Sequence, residues 1–219
     1  MTADDFRDNE KSVVMEDDDV LTIRLVGEDG STTVLKESIP VLAGEVVDGT
    51  VMRVAALDAF LAEQIERAKR EDVLFSVHLK ATMMKVSDPI MFGHVIEAFF
   101  PELFAAHGAA LEEAGLSSDN GLAAILNGLD ALPAEVRDGV RAAIDKGLAE
   151  GPKLAMVNSD KGITNLHVPS DIIVDASMPA MIRTSGHMWG PEGEEADTLA
   201  VLPDSSYAGI YQAVGDDCR

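Results

Sequence analysis

Val73-Leu74-Phe75-Ser76-Val77-His78-Leu79-Lys80 is a short apolar run closed by an ammonium, and it reads as a buried strand. Ahead of it Val54, Leu57, Phe60, Leu61, Ile65 and Ala68 recur at helical spacing, while Glu63, Glu66, Arg67, Lys69 and Arg70 fill the opposite side. An amphipathic helix over about 54–68 therefore feeds through Arg70-Glu71-Asp72 into the strand. Helix followed by strand is the alternation of an α/β protein, whose helices cover the faces of a sheet. The expected fold class is α/β, a mixed sheet with flanking helices. Lys80 sits where the strand ends, the place at which α/β proteins present chemistry. A lysine so placed is partly desolvated and suited to acid–base work near neutral pH. The plainer alternative is a solvated lysine that closes a strand.

Downstream, Asp88-Pro89 opens another helix, with Asp88 as N-cap, Pro89 in the first turn and Ile90, Met91, Val95, Phe99 and Leu103 on its buried side. Short helical pieces punctuated by Gly115, Asn120-Gly121 and Gly128 follow, then a helix with Val136, Val140, Ile144 and Leu148 that stops at Gly151-Pro152. Leu154 to Val157 reads as a short buried strand, and the polar loop Asn158 to Asn165 after it is a candidate wall of a ligand site. Ser170-Asp171-Ile172-Ile173-Val174-Asp175-Ala176 fits a capped helix or a buried strand, with helix favoured and Ser170 as N-cap. On a helix Asp171 and Asp175 lie four residues apart on one face and repel unless a cation or a lysine stands between them. Alternatively Asp171 serves the helix dipole and an arginine holds Asp175.

Upstream, Leu21, Ile23 and Leu25 alternate with Thr22 and Arg24, and Asp29-Gly30 separates them from a second run starting at Thr32. This is a hairpin near 20–36, with a primed turn at Asp-Gly and one face on a core. The first twenty residues carry eight carboxylates and little apolar matter, so 1–19 is expected to be a solvated acidic lead-in. The α/β core is expected over 50–219.

At 219 residues, 47% hydrophobic and 26% charged, the chain has the make-up of a globular protein with material for one substantial core. Its formal charge of −22 repels nucleic acid and anionic lipid, which argues against both as partners. An anionic small substrate meets the same field and needs local compensation from a divalent cation and a few basic residues. The single cysteine, Cys218, cannot form an internal disulfide, and no basic, apolar, small-residue leader is seen, which points to the cytoplasm. No apolar run approaches the roughly 18 residues of a membrane span. Neither G-x-G-x-x-G nor a Walker lysine motif occurs, so a nucleotide site must lie elsewhere. His78 reads as a satisfied structural histidine, His167 and His187 as loop residues, and Trp189 as a cap on the core.

His78 to Phe92 and Asn158 to Pro191, long and rich in methionine, resemble the monomeric NADP-dependent isocitrate dehydrogenases of bacteria, and the likeness extends from about Lys11 onward. Members of that family are several times longer, so 20–219 would be an internal stretch of their large domain, part of the isocitrate/isopropylmalate dehydrogenase-like fold. The resemblance implies oxidative decarboxylation of isocitrate to 2-oxoglutarate and carbon dioxide, with NADP as hydride acceptor and Mg²⁺ or Mn²⁺ as metal. It places Lys80 on the family's catalytic lysine, which shuttles protons at the reacting centre, and Asp175 on a metal-binding aspartate; Asp171 gains no role. Tyr207 and Tyr211 are not given the catalytic tyrosine's part, because that residue falls beyond this stretch. The same holds for the NADP site, the isocitrate ligands and the other metal aspartates. The final segment, from Ser205, starts like a helix and stops at Arg219 without a terminating signal, as if cut. The expected partner is thus the remainder of the enzyme, without which the chain is inactive. The competing expectation is a non-catalytic module that binds metal or tricarboxylate.

Overall fold

The computed structural model describes residues 1–80 and 83–218; Ala81, Thr82 and Arg219, which the quoted stretches touch, lie outside the described residues. Helix α1 (Phe6–Asn9) and strand β1 (Lys11–Val14) come first, followed by the long strands β2 (Asp19–Val26) and β3 (Thr32–Val41) and the short β4 (Val46–Gly49). Strand β1 pairs with β4, and β2 with β3, both antiparallel. The segment 1–19 therefore does more than lead in. Asp5 is fully buried and accepts from the backbone N–H groups of Asp8 (2.9 Å) and Ser205 (2.7 Å), while the carboxylates of Glu16 to Asp19 remain exposed.

The hairpin departs from its expected form in two respects. Gly27 N–H donates to Ser31 O (2.8 Å), Gly30 N–H donates to Gly27 O (3.0 Å), and of the loop residues only Gly30 has a positive φ, +79°. The loop is thus three residues wide. Asp29 Oδ1 accepts from Ser31 N–H, a local side-chain bond that holds Asp29 out of the left-handed region that a primed turn needs. The apolar alternation also finds no core here: Ile23 and Leu25 are 51% and 57% exposed, and along both strands only Leu21, Ile39 and Val41 lose much of their contact with water.

Helix α2 (Val54–Glu71) buries Leu57, Leu61, Ile65 and Ala68, as the spacing predicts, and leaves Val54 exposed. It ends on Asp72 in the left-handed conformation (φ 51°), and Val73 N–H returns to Ala68 O (3.1 Å), a terminus that turns the chain straight into β5 (Leu74–Val77). Next come α3 (Ser87–Phe99), α4 (Pro101–Glu113), α5 (Leu122–Gly128) and α6 (Ala134–Glu150), which pack with α2 around β5. Phe99 lies 6.1 Å from Phe75 and edge-on to Phe100 at 4.9 Å, ring geometries that add to burial at the centre of this core. Asp88 is not the N-cap: α3 begins one residue earlier, and Asp88 lies buried in its first turn, while Ile90 faces outward. Gly121 permits the close approach of α5 to the segment after β7. It has φ +85°, and a Cβ there would lie 2.3 Å from His167 O, so no other residue fits.

Strands β6 (Met156–Asn158) and β7 (Ile163–Thr164) form a small antiparallel hairpin. Helix α7 (Val174–Arg183), strands β8 (His187–Trp189) and β9 (Glu195–Val201) and helix α8 (Ala208–Asp217) complete the chain. The central sheet has the order β5-β9-β8, with β5 parallel to β9 and β9 antiparallel to β8, a mixed sheet with flanking helices as the α/β reading requires. His187 and Trp189 thus belong to a strand, and Trp189, 54% exposed, does not cap the core. Among the described residues no helix is long and apolar enough to cross a membrane.

The second edge of β5 is closed by three separate segments in turn. Phe75 N–H donates to Lys153 O (2.8 Å) and Phe75 O accepts from Ala155 N–H (2.9 Å). The Asn165 side chain then imitates a strand: its Oδ1 accepts from Val77 N–H (2.7 Å) and its Nδ2 donates to Val77 O (3.1 Å). Finally Leu79 N–H donates to Ile172 O (3.1 Å), and Leu79 O accepts from Val174 N–H (2.8 Å). Every backbone group of this buried strand is paired on that edge, as burial demands.

Candidate active site

The last of these bonds fixes the site. With Val174 held to Leu79, the next residue on each chain is Asp175 on one side and Lys80 on the other, and their side chains form an ion pair. The Lys80 side chain is 11% exposed and that of Asp175 49%, so the amine is sheltered and the carboxylate reaches solvent. The pair touches directly instead of facing across a cavity. A hollow of about 520 Å³ does lie beside the loop after Lys80, lined by Met52, Leu57, Met83, Met84 and Met91 among others, but neither Lys80 nor Asp175 lines it.

Local sequence explains how Asp175 is presented. Pro169–Ile172 forms a 3₁₀ turn, Ile173 is extended (φ −64°, ψ 110°), and α7 starts only at Val174 without a side-chain cap. Ser170 is therefore not an N-cap, and Asp171 stands exposed on a different element from Asp175, so the two do not share a helix face. The stretch behaves as strand and helix in succession. Ile173 bridges to Leu79, and the following first turn carries Asp175 where the positive end of the helix dipole favours a carboxylate.

Two further groups stand beside Lys80. Its Nζ stands 5.3 Å from the ring centroid of Tyr207, a cation–π contact worth about 0.5–2 kcal/mol. Tyr207 occupies the 3₁₀ turn Ser205–Tyr207, which Asp204 caps through Ser206 N–H (3.1 Å) and Asp5 anchors through Ser205 N–H. Burial would raise the Asp5 carboxyl, but the hydrogen bonds from Ser205 and Asp8 outweigh it and hold the group below its ordinary value. Tyr211, one turn further on, donates its hydroxyl to Val174 O (3.0 Å) and so braces the start of α7. Neither tyrosine is marked by spacing or pattern in the sequence. Only the fold brings this turn under Lys80.

Asp88 is the second. It is 3% exposed, and burial pushes its carboxyl up to about 6, against the opposing pull of the Lys80 backbone N–H and the Ser87 hydroxyl. A carboxyl raised on folding contributes stability that is complete below its unfolded value of 3.8 and is lost as pH rises through about 6. Asp88→Asn, which cannot ionise, is expected to melt progressively higher relative to the parent as pH rises from about 4 to 7. Thermal melts across that range check this, and a constant difference in Tm would refute it.

In the loop Asn158 to Asn165 three polar side chains serve the scaffold, while Asp160 and Lys161 stay exposed. Ser159 Oγ donates to Gly190 O (2.9 Å), Asn158 caps the turn Ser159–Lys161, and Asn165 is spent on Val77. His78 is buried and hydrogen-bonded on both ring nitrogens, as a structural histidine should be. Among the described residues no three His, Cys, Asp or Glu side chains converge as a metal cage. Asp175 offers one hard, partly exposed oxygen ligand, which fits a hard divalent cation as a single donor of a larger set.

Residues 1–219 match the family model for monomeric isocitrate dehydrogenase. The chain is 61% identical over 219 residues to the isocitrate dehydrogenase [NADP] of Corynebacterium glutamicum, covering all of this chain and 29% of that protein. It is 62% identical to the protein of the same name from Corynebacterium efficiens and 51% identical to that of Azotobacter vinelandii, in each case over the whole chain and 30% of the relative. The chain thus spans about 30% of the length of the curated relatives it matches.

Proposed function

The chain belongs to the monomeric isocitrate dehydrogenase family, and on that footing we propose that it supplies the proton-handling lysine and one metal ligand for NADP-dependent oxidative decarboxylation of isocitrate, within a longer enzyme. The observation that carries this reading is the ion pair of Lys80 and Asp175 at the end of β5. When bound, the divalent cation and NADP supply Lewis acidity and hydride acceptance respectively. Asp175 would give one oxygen to the metal and would then release its ammonium partner. Once it has lost its proton to solvent, Lys80 would as a neutral amine accept the proton of the substrate hydroxyl while hydride leaves the same carbon, and would return that proton to the carbon from which carbon dioxide departs. Tyr207 keeps that amine in place with its ring, and the sheltered position of Lys80 keeps water from competing with the substrate. Mg²⁺ and Mn²⁺ both suit the oxygen donor. The remaining ligands and the NADP site come from the rest of the enzyme, and the proposed location is the cytoplasm.

The test compares the 219-residue chain with a chimera in which it replaces the stretch it matches in the C. glutamicum protein. The chimera is expected to form NADPH from isocitrate only with Mg²⁺ or Mn²⁺ present, and chelation should abolish the signal; the chain alone should form none. A folded chimera without turnover would sink the proposal. Calorimetric binding of Mg²⁺ or isocitrate by the chain alone, with no turnover in the chimera, would point to the non-catalytic binding module.

A further inference from the structure

Two residues before Lys80, the imidazole of His78 lies buried between two hydroxyls. Ser76 Oγ stands 2.9 Å from its Nε2 and Ser177 Oγ 2.7 Å from its Nδ1. Ser177 belongs to the first turn of α7, two residues after Asp175, and its Oγ also lies 3.0 Å from Ile173 O. Proton counting selects one arrangement. With Nδ1 protonated, Ser76 O–H donates to Nε2, Nδ1–H donates to Ser177 Oγ, and Ser177 O–H donates to Ile173 O, so each of the three hydrogens has an acceptor. With Nε2 protonated instead, the hydroxyl hydrogen of Ser76, a fully buried residue, has no acceptor among the described residues. Burial also lowers the His78 pKa to about 4, so the ring is uncharged near neutrality.

We propose that His78 is a positioning residue: held as the neutral Nδ1–H tautomer, it ties Ser177 to the strand that carries Lys80 and thereby sets the Asp175 carboxylate against the Lys80 ammonium. The backbone ladder ends at Val174, and α7 starts with no side-chain cap, so besides the Lys80–Asp175 pair itself the bond from His78 to Ser177 is what ties the first turn of α7 to the strand among the described residues. The same buried imidazole reads the position of the helix turn and the strand end at once, as outer-shell partners of ligands do. The catalytic consequence rests on the isocitrate reading above. The placement itself does not.

Two substitutions separate a positioning role from packing. In His78→Asn, made together with Ser76→Ala, the amide NH₂ falls where Nδ1–H stood and keeps the donor to Ser177. His78→Gln reaches the Nε2 position and loses it. In the chimera, His78→Gln is expected to lower kcat/KM for isocitrate about 10–100-fold, while the Asn variant stays within about threefold of the parent, although both melt at lower temperature. In the 219-residue chain, ¹⁵N spectra of the imidazole near pH 7 should show Nδ1 protonated alone, and the hydrogen-bonded ammonium signal of Lys80 should survive in the Asn variant and vanish in the Gln variant. Equal activity in the two variants, or losses that simply follow their Tm, would overturn the proposal. So would a ring protonated on Nε2 or an ammonium signal indifferent to both changes. If the unsubstituted chimera folds and makes no NADPH, the isocitrate reading fails, and the two spectra alone decide the role of His78.

Discussion

Replacing Lys80 by methionine in the chimera is expected to cut kcat by about 10²–10⁴-fold, the usual contribution of a positioned proton donor or acceptor. Methionine keeps the apolar stem that lies in the sheltered part of the site and removes only the amine. The partner left behind, Asp175, has a side chain 49% exposed and can rehydrate, so the accompanying change in stability should stay within about 1 kcal/mol. Lys80→Arg sharpens the test, because guanidinium keeps the charge and the contact with Tyr207 but does not release a proton near neutrality. It should be nearly as slow as the methionine variant. NADPH formation under saturating isocitrate and Mn²⁺ provides the measurement. If either variant kept a third or more of the parent kcat, Lys80 would not be the proton carrier.

The largest effect on stability is expected away from the chemistry, at Asn165. Its amide pairs both the N–H and the C=O of Val77 inside the core, where Val77 is fully buried and Asn165 is 3% exposed. Asn165→Ala leaves two buried backbone groups without partners at about 1–3 kcal/mol each, so a loss of about 2–6 kcal/mol follows. For a chain of this size each kcal/mol lowers Tm by about 2–4 °C, so a fall of about 4–24 °C is the expected result. A single mutation would thereby lift the middle of the β5 edge between the 153–155 and 172–174 segments. Differential scanning calorimetry of the 219-residue chain reads this directly; a Tm within 2 °C or so of the parent would mean that water replaces the amide and that the strand mimicry contributes little.

Much of the scaffold was legible in the residues. The helix over 54–68 rests on periodic burial and the strand before Lys80 on a short continuous apolar run, both local properties, and both elements form, the strand as Leu74–Val77. Termini were less legible. Asp88 and Ser170 are good capping residues in isolation, yet Asp88 is drawn into the core beside the Lys80 amide, and the helix after Ser170 waits for Val174 because Ile173 is claimed by Leu79. Tertiary pairing outweighs a cap worth about 1 kcal/mol. The alternation at Leu21, Ile23 and Leu25 correctly gives a strand, but alternation cannot say whether anything covers the face, and here Ile23 and Leu25 remain largely in water. Trp189 failed for the same reason, since hydrophobicity gives a preference for burial and not a neighbour to supply it.

The sequence by itself determined the class of the fold, the strand that offers Lys80, and, through long runs shared with a known family, the pairing of that lysine with Asp175 as the residues to watch. Only the tertiary structure decided that the two touch, that Tyr207 lies under the amine, that Asp88 is held beside it, and that His78 links the strand to the helix of Asp175. The reason is the range of the forces involved. Periodicity and turn chemistry act over a few residues and are written in order along the chain. The contact between Lys80 and Asp175 instead depends on which segments complete the open edge of a buried strand, a choice made by backbone groups that every residue carries alike.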